Sequence, residues 1–206
     1  MKRTLFLHKS MKQSFRKENV IGCLVFFLIV SCTSSQHVDP VDFVNPYLGN
    51  ISHLLVPTYP TVHLPNSMLC VYPERSDYTD DLMNGLPVAV TSLRGSSAFN
   101  LSSFQGSEPE LKPVISYSYD REKITPYDYF VYLDEQETSV YFAVSRQSGI
   151  YELTFGRTDP IYLILNTRKG ELQWDGKAFS GYQELQNNTR IFVYMEPDLQ
   201  PREANT

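Results

Sequence analysis

Tyr127-Asp-Tyr-Phe-Val-Tyr-Leu133 is the stretch that decides the fold. Tyr127, Tyr129, Val131 and Leu133 fall on one side of an extended chain, and Asp128, Phe130 and Tyr132 on the other. Alternation with period two marks a half-buried strand. The second side is not purely polar. Aromatic rings on both sides of one strand point to a sheet packed on a second sheet, its outer face partly covered, as in a large sandwich.

Outward from this strand, the chain beyond about residue 113 reads the same way. Short β-branched and aromatic runs recur near residues 114–119, 139–145, 150–155, 161–166, 171–174, 179–183 and 190–195. The breaks between them, such as Gln147-Ser-Gly149, Gly156-Arg-Thr-Asp-Pro160 and Arg168-Lys-Gly170, carry turn-forming residues. Asp175-Gly176 between Leu172-Gln-Trp174 and Ala178-Phe179 is the strongest hairpin signal in the chain. No window behind the leader carries helical spacing. The predicted class is all-β, a large antiparallel β-sandwich. Residues 38–107 differ, because Pro40, Pro46, Pro57, Pro60, Pro65, Pro73 and Pro87 punctuate their apolar runs. Proline donates no ladder hydrogen bond, so extended loops and isolated strands are expected there.

The full chain has 206 residues, 42% hydrophobic and 20% charged, room for one domain with an ordinary core. Those fractions exclude a mainly disordered chain, and three cysteines exclude a disulfide scaffold. The net charge of −5 is unevenly placed. In residues 1–32, Lys2, Arg3, Lys9, Lys12, Arg16 and Lys17 stand against Glu18 alone, so the leader carries +5 and the remainder −10. An acidic body argues against nucleic acid as a partner, since binding phosphates depends on Lys and Arg.

Behind the basic stretch runs Val20-Ile-Gly-Cys-Leu-Val-Phe-Phe-Leu-Ile-Val30, uncharged and too short to span a bilayer, which needs roughly 20 residues. It reads as the apolar region of a signal helix. Ile29-Val-Ser-Cys32 and the polar tract after it resemble a bacterial lipobox. The thiol of Cys32 would then carry the lipid, and several acyl chains would anchor the protein without spanning the membrane. An ordinary cleaved signal with an incidental cysteine is the alternative, and translation starting at Met11 would give a more usual signal length. The expected organisation is a signal peptide over 1–32, a tether over 33–40 and a sandwich over 41–206. The expected location is the bacterial cell envelope, at the outer membrane, with the side it faces left open. Cys70, the one cysteine left in the mature chain, reads as a small core residue.

Motif chemistry is sparse. No phosphate-binding Gly-rich loop, nucleophile elbow or paired-cysteine metal motif occurs. Asp77, Asp80 and Asp81 lack the spacing and glycine of a calcium loop and read as a solvated turn. Glu108 and Glu110 flank Pro109. His53 and His63 lie in the Pro-rich region, where a satisfied loop histidine competes with a ligand or sugar-binding role. The Tyr-rich composition suits sugar stacking and a sandwich core equally.

Val41-Asp-Phe-Val-Asn-Pro-Tyr-Leu-Gly49 resembles the opening of glycoside hydrolase family 92, the calcium-dependent exo-α-mannosidases. Tyr59-Pro-Thr-Val-His-Leu-Pro-Asn-Ser-Met68 is similar to that family's Pro-rich framework, and residues 124–133 and 149–155 are similar to two of its successive strands. The resemblance covers residues 39–196. It implies an N-terminal β-sandwich that normally packs, within one chain, on a helical domain carrying the catalytic acid, the base and the calcium ligands. By that resemblance, His53, Tyr59 and His63 are the residues expected to face a mannose-containing glycan. The family's Gly- and His-rich loop is here Asn50-Ile-Ser-His-Leu-Leu55, and the sole tryptophan, Trp174, stands elsewhere. No catalytic residue, metal ligand or cofactor is expected in this chain, calcium being implied for a full-length enzyme. The chain alone is expected to be inactive. A surface lipoprotein that binds carbohydrate without hydrolysing it, and a truncated product prone to aggregate, are the competing readings.

Overall fold

The computed structural model describes residues 38–49, 59–75, 80–90 and 97–204. The expected signal helix, tether start and Cys32 lie outside these residues, as does His53. Residues from Pro40 onward form one compact unit.

The described residues hold eleven strands: β1 (Leu82–Asn84), β2 (Leu86–Pro87), β3 (Phe99–Gln105), β4 (Ser116–Ile124), β5 (Asp128–Leu133), β6 (Thr138–Val144), β7 (Gly149–Phe155), β8 (Ile161–Thr167), β9 (Gly170–Trp174), β10 (Phe179–Glu184) and β11 (Arg190–Met195). The helical elements among the described residues are 3-10 turns, such as Pro40–Phe43 and Glu108–Glu110. None is long and apolar enough to cross a membrane. The strands form three antiparallel sheets, ordered β1-β4-β5-β6-β7, β2-β3-β8 and β11-β10-β9.

Alternation turns into burial as expected. In β5, Tyr129, Val131 and Leu133 are buried while Asp128, Phe130 and Tyr132 are half-buried. The inner residues of β4, β5 and β6, with Tyr117, Tyr129, Val131, Leu133, Val140 and Phe142, form one cluster with Met83 of β1, Leu86 of β2 and Leu101 of β3. The core is thus shared by the five-stranded sheet and the β2-β3-β8 sheet, the layering of a sandwich.

The described part of residues 38–107 is loops, short strands and isolated bridges, as expected, except for β3. β3 is seven residues long and central in its sheet, pairing with β2 and β8. Its sequence, Phe-Asn-Leu-Ser-Ser-Phe-Gln, buries polar groups that bond in part to neighbouring elements, while Ser103 Oγ and Gln105 Oε1 are buried without a partner. The Tyr117 hydroxyl of β4 accepts from the Ser103 amide (2.8 Å) and donates to its carbonyl (2.7 Å). The Gln105 side chain donates to Thr138 Oγ1 of β6 (2.8 Å), and the Gln105 amide to Gln136 Oε1 (2.6 Å). Pro87 sits on the edge strand β2, where its missing N–H costs nothing.

The Asp175-Gly176 hairpin forms with a longer loop than the shortest kind. Trp174 pairs with Phe179, leaving residues 175–178 as the connection. Asp175 Oδ1 accepts from the amides of Lys177 and Ala178, both at 2.8 Å, and Gly176 takes φ +95°, a conformation that favours glycine.

Candidate functional site

Tyr59 and His63 lie on either side of Val62, which bridges to Val71 and turns the segment back on itself. The Tyr59 ring stacks on Tyr72, centroids 4.6 Å apart and planes 6° from parallel. Burial, then the neighbouring Tyr59, Glu74 and Cys70, push the Tyr72 hydroxyl up to about 12. His63 is exposed. Its backbone amide donates to Pro126 O (3.0 Å) and its Nε2 lies 3.3 Å from Ser67 O. The two residues therefore meet different neighbours: Tyr59 is half-built into the core, and the His63 ring faces solvent. Cys70, in the same segment, is half-buried, and burial raises its thiol.

The acidic clusters resolve into local structure. Asp80 Oδ1 accepts from the Leu82 amide (3.1 Å), capping the start of β1. Glu110 accepts from the Ser107 hydroxyl (2.7 Å) and amide (3.2 Å), a reciprocal cap on the short turn, and these bonds hold its carboxyl below the ordinary value.

A tighter constellation, not singled out by the sequence, lies at a bulge in β4. Asp120 pairs with Tyr132 and Lys123 with Phe130, so three steps along β4 answer two along β5. Arg121 absorbs the extra residue at φ +53°. The slip moves the inward-facing set from odd to even numbers and turns Glu122 inside. Its carboxylate pairs with Arg75, the side chains being 12% and 4% exposed. Tyr129 donates to Glu122 Oε1 (3.3 Å), and Tyr47 of the opening motif donates to Oε2 (3.4 Å). The Arg75 guanidinium lies 4.6 Å from the Tyr119 ring centroid. Burial raises the Glu122 carboxyl, while Arg75 and the two tyrosine hydroxyls pull the other way. Burial also raises Tyr47 and Tyr129, with Glu122 adding to both.

The arrangement fastens the turn at residues 46–49 to β4. It offers no free carboxylate to a sugar or a cation, because Glu122 is committed to Arg75. Among the described residues no three His, Cys, Asp or Glu side chains converge as a metal site. One signal in the sequence was available: Asp120-Arg-Glu-Lys123 interrupts an otherwise alternating strand.

A two-layered antiparallel sandwich with its opening segment pinned to one sheet defines a β-sandwich domain. The chain belongs to glycosyl hydrolase family 92, matching that family's N-terminal domain over residues 43–206. Two solved structures of a family GH92 α-mannosidase from Bacteroides thetaiotaomicron resemble it, one of them in complex with mannoimidazole. Both give a TM-score of 0.55 and 17% identity over 69% of this chain. The chain spans 23% and 22% of those two, less than a quarter of their length. No protein of curated function matches the chain.

Proposed function

We propose that this chain is the N-terminal sandwich of an α-mannosidase acting on mannose-containing glycans, contributing cleft loops and interdomain packing to hydrolysis carried out elsewhere. The observation that carries this reading is the family match over residues 43–206, together with the α-mannosidase named for the similar structures. Glycoside hydrolysis needs a carboxylic acid and a second carboxylate set around the bond. The buried carboxylate described here, Glu122, is held by Arg75. The acid, the base and any calcium ion belong to a helical domain of a longer polypeptide in this reading. Tyr59, His63 and His53 then stand on the loops that line the cleft, and lipid on Cys32 attaches the protein to the envelope.

The test is mannose release from an α-mannoside by the purified chain, alone and fused to the helical domain of a family 92 enzyme. The reading expects none from the chain alone and release from the fusion above that of the helical domain by itself. Release by the chain alone, or a fusion no better than the helical domain, overturns it.

A further inference from the structure

The three-stranded sheet ends at β11, whose outer edge has no partner strand among the described residues. β11 is six residues long. Its outward face carries Phe192 and Tyr194, 72% and 63% exposed, and large apolar groups on an unpaired edge form a template for another strand. Arg190 begins the strand and Glu196 follows it, each three residues from Val193. Arg190 reaches back to Glu184 of β10 (3.2 Å), and Glu196 to Lys177 (2.8 Å).

That spacing is self-complementary. When two copies of β11 are laid antiparallel about a two-fold axis beside Val193, Arg190 stands opposite Glu196 of the other copy, and Phe192 stands opposite Tyr194. Each row of charges then alternates in sign across the junction: Glu184 and Arg190 of one copy, then Glu196 and Lys177 of the second copy. Opposite charges and paired aromatics directly across an antiparallel ladder are the pairs that stabilise it. The edges at β7 and β8 lack this property. The outward residues of β7 are Ile150, Glu152 and Thr154, whose single charge would meet its own kind about an axis beside it, and β8 carries no charged residue.

We propose that β11 is a self-pairing edge, on which a second copy of this chain adds its own β11 and extends the three-stranded sheet into a continuous sheet through the dimer axis. The interface is isologous, the same strand serving both partners. The proposal does not depend on the mannosidase reading.

Sedimentation equilibrium of the full 206-residue chain over rising concentration tests it. The expected mass moves from 23.7 kDa toward twice that value. Phe192→Lys, at a largely exposed position, places a charge against Tyr194 of the second copy and raises the dissociation constant about tenfold or more. Arg190→Glu sets like charges opposite each other twice per dimer and weakens it in the same direction. Ile150→Lys on β7 leaves association unchanged. A chain that stays monomeric, or one whose association ignores both β11 substitutions, overturns the proposal. Association through the leader, or occupation of the edge by another segment, would give those results.

Discussion

Replacing Glu122 by glutamine keeps the side chain's shape and removes its charge. Arg75, with its side chain 4% exposed, is then left inside without a counter-ion. Removing one partner of a buried ion pair costs about 3–5 kcal/mol, because the survivor keeps its desolvation penalty and loses its compensation. For a unit of this size each kcal/mol lowers Tm by about 2–4 °C, so Glu122→Gln should melt roughly 6–20 °C below the parent. The double variant Arg75→Met, Glu122→Gln removes both charges and should recover much of the loss, since an apolar replacement of a buried pair is often neutral. Urea unfolding followed by fluorescence of Trp174 measures all three proteins. The dependence on pH carries a sign. Burial raises the Glu122 carboxyl in the folded chain above its ordinary value of 4.5. The folded state therefore binds that proton more readily than the unfolded one. The group's contribution is fully present below 4.5 and falls as pH rises through the folded value. A single variant within about 1 kcal/mol of the parent, inside the range of an exposed pair, would refute the burial argument.

Leu133 is wholly buried among the inner residues of β5, and Leu133→Ala should cost about 2–5 kcal/mol in the same unfolding assay. A Cβ on Gly181 would lie 2.0 Å from the carbonyl oxygen of Glu171 on the paired strand, so Gly181→Ala should destabilise β9 and β10 by about 1–3 kcal/mol or more, read as a lower Tm. The bonds from Ser107 depress the Glu110 carboxyl in the folded chain, so any stability it adds is present above 4.5 and lost as pH falls through the folded value. Carboxyl-detected NMR titration should show that depression, and Ser107→Ala should move the titration back up. Cys32→Ala should abolish incorporation of labelled fatty acid and release the protein from the membrane fraction on cell lysis.

The eight strands after residue 113 were legible because their chemistry is local. Each buries apolar side chains with period two, and each is bounded by residues that turn the chain. β3 was not legible, and the reason is physical. Phe99–Gln105 carries Asn100, Ser102, Ser103 and Gln105, which in isolation predict a solvated loop. Much of their burial is offset from elsewhere in the chain: Thr138 accepts from the Gln105 side chain, the Ile115 amide donates to Ser102 Oγ, and Tyr117 and Gln136 bond the backbone of Ser103 and Gln105. The cost of burial and the bonds that offset it lie at different places in the sequence, and no window contains both. The hairpin at Asp175 is the opposite case: turn residue, carboxylate cap and paired strands fall within a few positions, and the structure differs from the expectation only in loop length.

The candidate site was legible in the same uneven way. Tyr59 and His63 were found by their place in a recognisable framework, and the structure shows why they are unequal: a stacked, half-buried ring and a solvent-facing imidazole. Tyr47 belongs to the opening motif, yet its hydroxyl's partner, Glu122, lies 75 residues away. Asp120-Arg-Glu-Lys123 reads as a solvated charge run, and three of its four residues are indeed exposed. The fourth is turned inward by one extra residue in the strand. Strict pairing would instead point Arg121 and Lys123 at the core, two cations beside Arg75 with no carboxylate among them. The bulge is therefore tied to charge: it selects the one residue of the run that can neutralise Arg75, and through that carboxylate it fixes the segment with which the family's domain begins.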